Sequence, residues 1–186
     1  MDDIIETVNH FAAVRYVIDH IAAPLSQTFI KKLHHILTYG TYANRKEKLC
    51  SGEYRTTPHK LGICAKDISA PLAALLKDYE KNPANMEHIL DFHVRFEQIH
   101  PFVDYNGRVG RLIMLKECLR HGVDPFIIDD KRRTGYLDGI RQRDEDRSIV
   151  MDVCMEAQMR FEAQIDLQGL LECHAQYKRM AKHNIE

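Results

Sequence analysis

No apolar run in this chain approaches the roughly 20 residues that a membrane-spanning helix needs. The N-terminus is acidic rather than basic, so neither an anchor nor a targeting peptide is expected. There is no C-x-x-C pair. The five cysteines, Cys50, Cys64, Cys118, Cys154 and Cys173, are widely spaced, and an odd count without a signal peptide reads as reduced thiols in a cytoplasm. The formal net charge is -1, too small to argue for nucleic acid or a membrane surface. No G-x-x-x-x-G-K-[ST] is present, nor a kinase set of Gly-rich loop, H-R-D and D-F-G, so P-loop and protein-kinase chemistry are excluded. No histidine is followed directly by aspartate, which removes the pattern of an all-α metal phosphohydrolase, and a transition-metal site is not expected.

What is present is an ordinary globular composition, 45% hydrophobic and 28% charged over 186 residues, enough for one domain with its own core. Helical periodicity dominates. Ile4, Val8, Phe11, Ala12 and Ile18 mark a first helix closed by Pro24. Ser26 suits the cap of a second, through Phe29, Ile30, Leu33, Ile36 and Leu37, with Gly40 as its stop. A third runs from about Pro71 to Tyr79. A fourth, with Pro83 in its first turn, carries Ile89, Leu90, Phe92, Val94, Phe96 and Ile99 and should be central. It ends at His100, because a residue before proline is pushed out of the α region. Helix resumes near Val109 and stops at Gly122; another begins at an Asp129 or Asp130 cap, and a long one follows Arg147. The stretch "SGEYRTTPHKLGI", with glycines at both ends and β-branched residues inside, reads as a short exposed hairpin. The predicted class is therefore all-α, a helical bundle with one β-hairpin flap. The basic C-terminal "AQYKRMAKH" is read as a solvated helix end rather than a nucleic-acid contact.

Between two of these helices lies "HPFVDYNGRVGR", residues 100–111. Its basic half opens a helix whose first N–H groups are unpaired and whose dipole favours an anion. Gly107 allows close backbone approach, and Arg108 and Arg111 are spaced to project from one side of the first turn. Arginine forks match phosphate oxygens. Asp104 would repel such an anion unless a cation such as magnesium stands between them. His100 is the local group able to exchange a proton near neutral pH. Cradle, cation ligand and base together indicate transfer of a nucleotide phosphoryl group to a hydroxyl. The competing reading, a solvated loop with two surface arginines and a capping asparagine, accounts for the pieces singly but not for their co-occurrence.

The segment resembles the Fic (filamentation induced by cAMP) family motif H-P-F-x-[D/E]-G-N-G-R-x-x-R at every fixed position except Tyr105, where the family has glycine. "SGEYRTTP" resembles the family's flap and "KRRTGYLDGI" the helix after its motif. The likeness runs from about residue 5 to 145, so residues 1–186 are read as one Fic-type domain with a C-terminal helical extension from about 147 to 186. The resemblance implies a mainly α-helical protein adenylyltransferase that moves AMP from ATP, with Mg²⁺, to a Ser, Thr or Tyr hydroxyl of a target protein. By position, it implies His100 as the base, Phe102 as the loop's core anchor and Asp104 as the magnesium ligand. Asn106 and the backbone of Gly107 would contribute to the anion hole, and Arg108 and Arg111 would meet the outer phosphates. Tyr54, Arg55, Thr56 and Thr57 would form the flap that aligns the target by strand pairing. Tyr136 is either part of an adenine pocket or a core tyrosine.

Many family members are inhibited by a helix bearing [S/T]-x-x-x-E-[G/N], a pattern not found here: Ser148 is followed four residues on by Asp152, and Thr7 by Phe11. The expectation is that such a helix lies upstream of this sequence or that an antitoxin-like partner supplies it; a homo-oligomer is also compatible. Tyr105 leaves a second function open, a nucleotide-binding or interaction module with weak or altered transfer (a phosphoryl or other nucleotide group, or AMP removal). If the loop needs glycine's positive φ, Tyr105 strains the cradle; if not, its ring points to solvent, where it can contact nucleotide or target.

Overall fold

The computed structural model describes residues 2–46, 49–58, 62, 67–81, 84–142, 145–164, 166, 167, 169, 171 and 172. The chain forms two compact units, Met1–Pro125 and Phe126–Glu186. Helices are the only regular structure among the described residues, as the periodicity predicts. No helix among them is long and apolar enough to cross a membrane.

The first unit contains α1 (Asp2–Asp19), α2 (Gln27–Thr38), α3 (Tyr42–Lys46), α4 (Ser69–Tyr79), α5 (Met86–Ile99) and α6 (Asn106–His121). Helix α5 carries a broad buried face. It buries Ile89, Leu90, Phe92, Val94, Phe96 and Ile99 and packs between α4 and α6, while α1 and α2 pair with each other and with α6. The caps follow local chemistry. Ser26 Oγ accepts the Phe29 N–H at 3.2 Å to start α2, and Asn85 Oδ1 accepts the His88 N–H at 2.9 Å to start α5. The expectation for Pro83 falls outside the described residues. Gly122, at φ 66°, closes α6 in the left-handed conformation that glycine tolerates best. Lys116 is buried inside the unit, its Nζ donating to Ala23 O at 2.7 Å and to Glu117 Oε1 at 2.8 Å. The charged end of α6 is thereby tied to the loop after α1.

Three sequence expectations are corrected. Helix α1 has two apolar stripes, and the one that packs is Ala13 and Val17; Ile4, Val8 and Phe11 stay exposed. Helix α6 starts at Asn106 rather than near Val109, because a left-handed Tyr105 turns the chain directly into the helix. No strand occurs among the described residues of the expected hairpin, 51–58 and 62. Their backbone donors go elsewhere: Gly52 N–H to His34 Nδ1 at 2.9 Å and Arg55 N–H to Pro101 O at 2.9 Å. The segment is a strap laid on α2 and on the motif loop. Residues 59–61 and 63, the rest of that expected hairpin, lie outside the description.

In the second unit, α7 (Asp130–Arg141) begins at Asp129, whose Oδ1 accepts the Arg132 N–H at 3.0 Å, and packs on α8 (Ser148–Gln164). Gly139 allows the close crossing, since a Cβ there would lie 2.7 Å from the Val150 nitrogen. Tyr136, Val150, Cys154 and Ala157 form the buried face.

Candidate functional site

The site is assembled where α5 ends and α6 begins. His100 is the C-cap of α5, at φ 50° and ψ 63°, and its N–H still closes the helix on Phe96 O at 3.0 Å. The left-handed turn before Pro101 throws the imidazole off the helix axis. Its Nδ1 lies 3.3 Å from the Glu97 carbonyl, which can only accept, so Nδ1 carries the proton and Nε2 is the basic nitrogen.

The loop that follows is pinned from inside. Phe102 is fully buried, and the ring of His34 from α2 stacks flat on it, with centroids 3.9 Å apart and planes 2° apart. His34 accepts the Gly52 N–H at Nδ1, so its own proton is on Nε2. Burial holds this imidazole neutral, pushing its pKa down to about 4, and the Asp104 backbone opposes that shift slightly. Asn106 spends its amide on the same loop: Nδ2 donates to Phe102 O and Oδ1 accepts the Phe102 N–H, both at 2.9 Å. The Asn106 side chain therefore shapes the loop, and what it can offer an anion is its backbone N–H.

Beyond Phe102 the loop opens. Asp104 is exposed, with Oδ1 accepting the Tyr105 N–H at 2.6 Å. One exposed carboxylate beside a helix N-terminus suits a hard cation that takes its other ligands from phosphates and water. Among the described residues no group of three or more His, Cys, Asp and Glu is placed to hold a metal ion.

Tyr105 keeps the positive φ of a glycine, at φ 64° and ψ 7°, yet its ring does not face solvent. It is buried, and its hydroxyl donates to Glu6 Oε1 at 2.7 Å. Burial, then the Glu6 carboxylate, pushes the phenol up to about 12. The other oxygen of Glu6 pairs with Arg108 Nη1 at 2.7 Å, and the Arg108 guanidinium lies 4.8 Å above the Tyr105 ring. Glu6 thus joins α1 to both the odd residue of the motif and its first arginine. Its own pKa is lowered, chiefly by the Tyr105 hydroxyl.

Helix α6 supplies the cradle. Val109 N–H bonds back to Tyr105 O at 3.0 Å, whereas the N–H groups of Asn106, Gly107 and Arg108 precede the first intrahelical bond and are the donors a helix leaves for an anion. Arg111 is exposed and folds back over Gly107, so that a Cβ at 107 would lie 3.1 Å from Arg111 Nη1. Behind it, Glu97 is enclosed, and burial pushes its carboxyl up to about 7 against the opposing pull of Arg111. His93, one turn earlier on α5, is held neutral by burial, at about 3. Both side chains press on Gly110, where a Cβ would meet Glu97 Oε1 at 2.7 Å and His93 at 2.8 Å. From α1, His10 also faces the cradle; burial and then the charges of Arg108 and Arg111 lower its pKa.

Of the residues predicted from sequence, His100, Asp104, Tyr105, Asn106, Gly107, Arg108 and Arg111 are contiguous here. Tyr54 is half-buried, its hydroxyl donating to Gln27 Oε1 at 3.0 Å, and Thr56 and Thr57 are exposed. Arg55 points inward and does not face a target. Tyr136 is buried in α7 of the second unit. Sequence reading missed Glu6, His10, His34 and Glu97. Only Glu97, three residues before His100 on the same helical face, left a local signal.

Comparison with known proteins agrees with the helical fold. The profile of the Fic/DOC family matches residues 24–118. A protein adenylyltransferase Fic of Drosophila grimshawi is 30% identical over 102 residues, half of this chain and 21% of that protein. The Drosophila mojavensis protein of the same name is 27% identical over 150 residues, 76% of this chain and 30% of its own length. The chain therefore spans less than a third of either relative. Among solved structures, a Fic-domain-containing signaling protein from Bacteroides thetaiotaomicron superposes with a TM-score of 0.71 at 20% identity, over 86% of this chain and 69% of that one. Fic-1 of C. elegans superposes at 0.73, also at 20% identity, over 88% and 51%. These two likenesses concern the fold. With the motif in place at the α5–α6 junction and the family profile covering half the sequence, the chain belongs to the Fic/DOC family.

Proposed function

We propose that this protein is a transferase that moves AMP from ATP to a Ser, Thr or Tyr hydroxyl of a target protein, releasing pyrophosphate. The observation that carries the reading is the pairing of a tautomer-fixed His100 with the open N-terminus of α6 and its arginines. In the reaction, His100 Nε2 takes the proton of the target hydroxyl as that oxygen bonds to the α-phosphorus. The bond from phosphorus to the pyrophosphate oxygen breaks, and the electron pair leaves with pyrophosphate. Asp104 would hold Mg²⁺, whose contribution when bound is to neutralise phosphate charge. The N–H groups of Asn106, Gly107 and Arg108 and the Arg111 guanidinium meet the charge that gathers on the leaving group, which favours the transition state over the ground state. The exposed stretch at Thr56 is where an extended target segment would lie against the backbone.

The resident Glu6–Arg108 ion pair supports the second reading, a nucleotide-binding module with weak or altered transfer. Incubation with α-³²P-ATP or γ-³²P-ATP, Mg²⁺ and cell lysate separates the two. Protein label from the α-phosphate alone supports AMP transfer, label from γ alone means phosphoryl transfer, and bound ATP with no protein label favours the module.

A further inference from the structure

Arg55 is a buried arginine, 3% exposed. Its guanidinium donates to main-chain oxygens. Nε donates to His100 O at 2.6 Å, Nη2 to Ile99 O at 3.3 Å and Nη1 to Thr57 O at 2.9 Å, while its own backbone N–H donates to Pro101 O at 2.9 Å. Ile99 and His100 are the last residue and the C-cap of α5. Carbonyls at a helix C-terminus have no intrahelical donors and sit at the negative end of the dipole, so a forked cation satisfies them in both geometry and charge. Gly62 closes over this contact: a Cβ there would lie 2.5 Å from Arg55 Nη2 and 2.8 Å from His100 Cβ.

The left-handed turn at His100 is costly for a residue with a Cβ, and the bond from His100 Nδ1 to Glu97 O is long at 3.3 Å. We propose that Arg55 is the positioning residue for His100, clamping the His100 and Ile99 carbonyls so that the strap, the turn and the imidazole tautomer are set as one unit. The guanidinium fork is the required element. A lysine ammonium reaches one carbonyl at a time, and an apolar side chain leaves the buried oxygens unpaired. The strap thus acts on the base from behind, through main chain, without touching substrate. The proposal rests on His100 being the base of the proposed transfer.

The test uses Arg55→Lys, Arg55→Met and Gly62→Ala in the full chain, read by NMR of ¹⁵N-histidine, by ATP binding and by α-³²P-ATP labelling. Nδ1-protonated His100 is expected in the wild type, giving way to tautomer averaging in Arg55→Met and Gly62→Ala. Labelling should fall at least ten-fold in Arg55→Met at unchanged ATP affinity, with Arg55→Lys between. An unchanged His100 signal in folded Arg55→Met overturns the proposal, as does labelling that falls only with the folded fraction. If wild type transfers no label, the NMR readout still judges Arg55 while the transfer reading fails separately. Should Arg55→Met not fold, Arg55→Lys and Gly62→Ala carry the same comparison.

Discussion

The hydroxyl of Tyr105 donates to Oε1 of Glu6 at 2.7 Å, across 99 positions of sequence. This bond explains how a tyrosine occupies a position built for glycine. A bulky residue in the left-handed region costs roughly 1–2 kcal/mol. Burial of the ring, stacking under Arg108 and the bond to Glu6 offset that cost.

Tyr105→Phe should therefore lose about 1 kcal/mol of stability, because it removes a hydrogen bond to a charged acceptor and leaves the φ cost in place. Thermal unfolding measures this, and a neutral result would mean that the hydroxyl contributes nothing.

Glu6→Gln should weaken the hold on Arg108 and tighten ATP binding by up to about five-fold, the range of a half-exposed ion pair. Calorimetric titration with ATP and Mg²⁺ checks it. Weaker binding would instead assign Glu6 the task of presenting Arg108 to the phosphates.

Stability should depend on pH in two opposed ways. His34 and His93 have folded pKa values depressed to about 4 and about 3. The unfolded chain binds their protons first, so stability is full above the unfolded histidine value and is lost as pH falls below it. Glu97, raised to about 7, acts oppositely: the folded state holds its proton, and stability declines as pH rises from the unfolded carboxyl value through 7. Glu97→Gln should thus become more stable relative to wild type between pH 5 and pH 8, by on the order of 2 kcal/mol. Parallel unfolding midpoints over that range would show that Glu97 does not titrate as its burial demands.

The flat stack of His34 on Phe102 and its acceptance of the Gly52 N–H make two separable demands. His34→Gln keeps an acceptor, whereas His34→Phe keeps the ring and leaves a buried N–H unpaired at a cost of about 1–3 kcal/mol. His34→Phe should be the less stable in urea unfolding; the reverse order would make stacking the dominant contribution.

Much of this was legible in local sequence, because caps and stops act over one turn. Ser26 and Asp129 start helices and Gly122 stops one, as their chemistry dictates. The motif was legible because its histidine, acid and arginines lie in linear order. Long-range contacts were not. Nothing near Glu6 announces that it meets Tyr105, and apolar spacing on α1 favoured Ile4, Val8 and Phe11, which the fold leaves in solvent. Arg55 reads as part of a target-aligning flap until its bonds to α5's terminal carbonyls are seen. The same contacts explain the absent hairpin among residues 51–58, whose backbone donors are taken by α2 and the motif loop.

The central claim, that His100 activates a target hydroxyl toward the α-phosphate, is tested most directly by His100→Ala beside wild type. Both are given α-³²P-ATP, Mg²⁺ and lysate after ATP binding is shown to be equal. The account predicts α-label on protein with wild type and a loss of at least 100-fold in the variant, the scale of general-base catalysis. Equal labelling by the two proteins would contradict it.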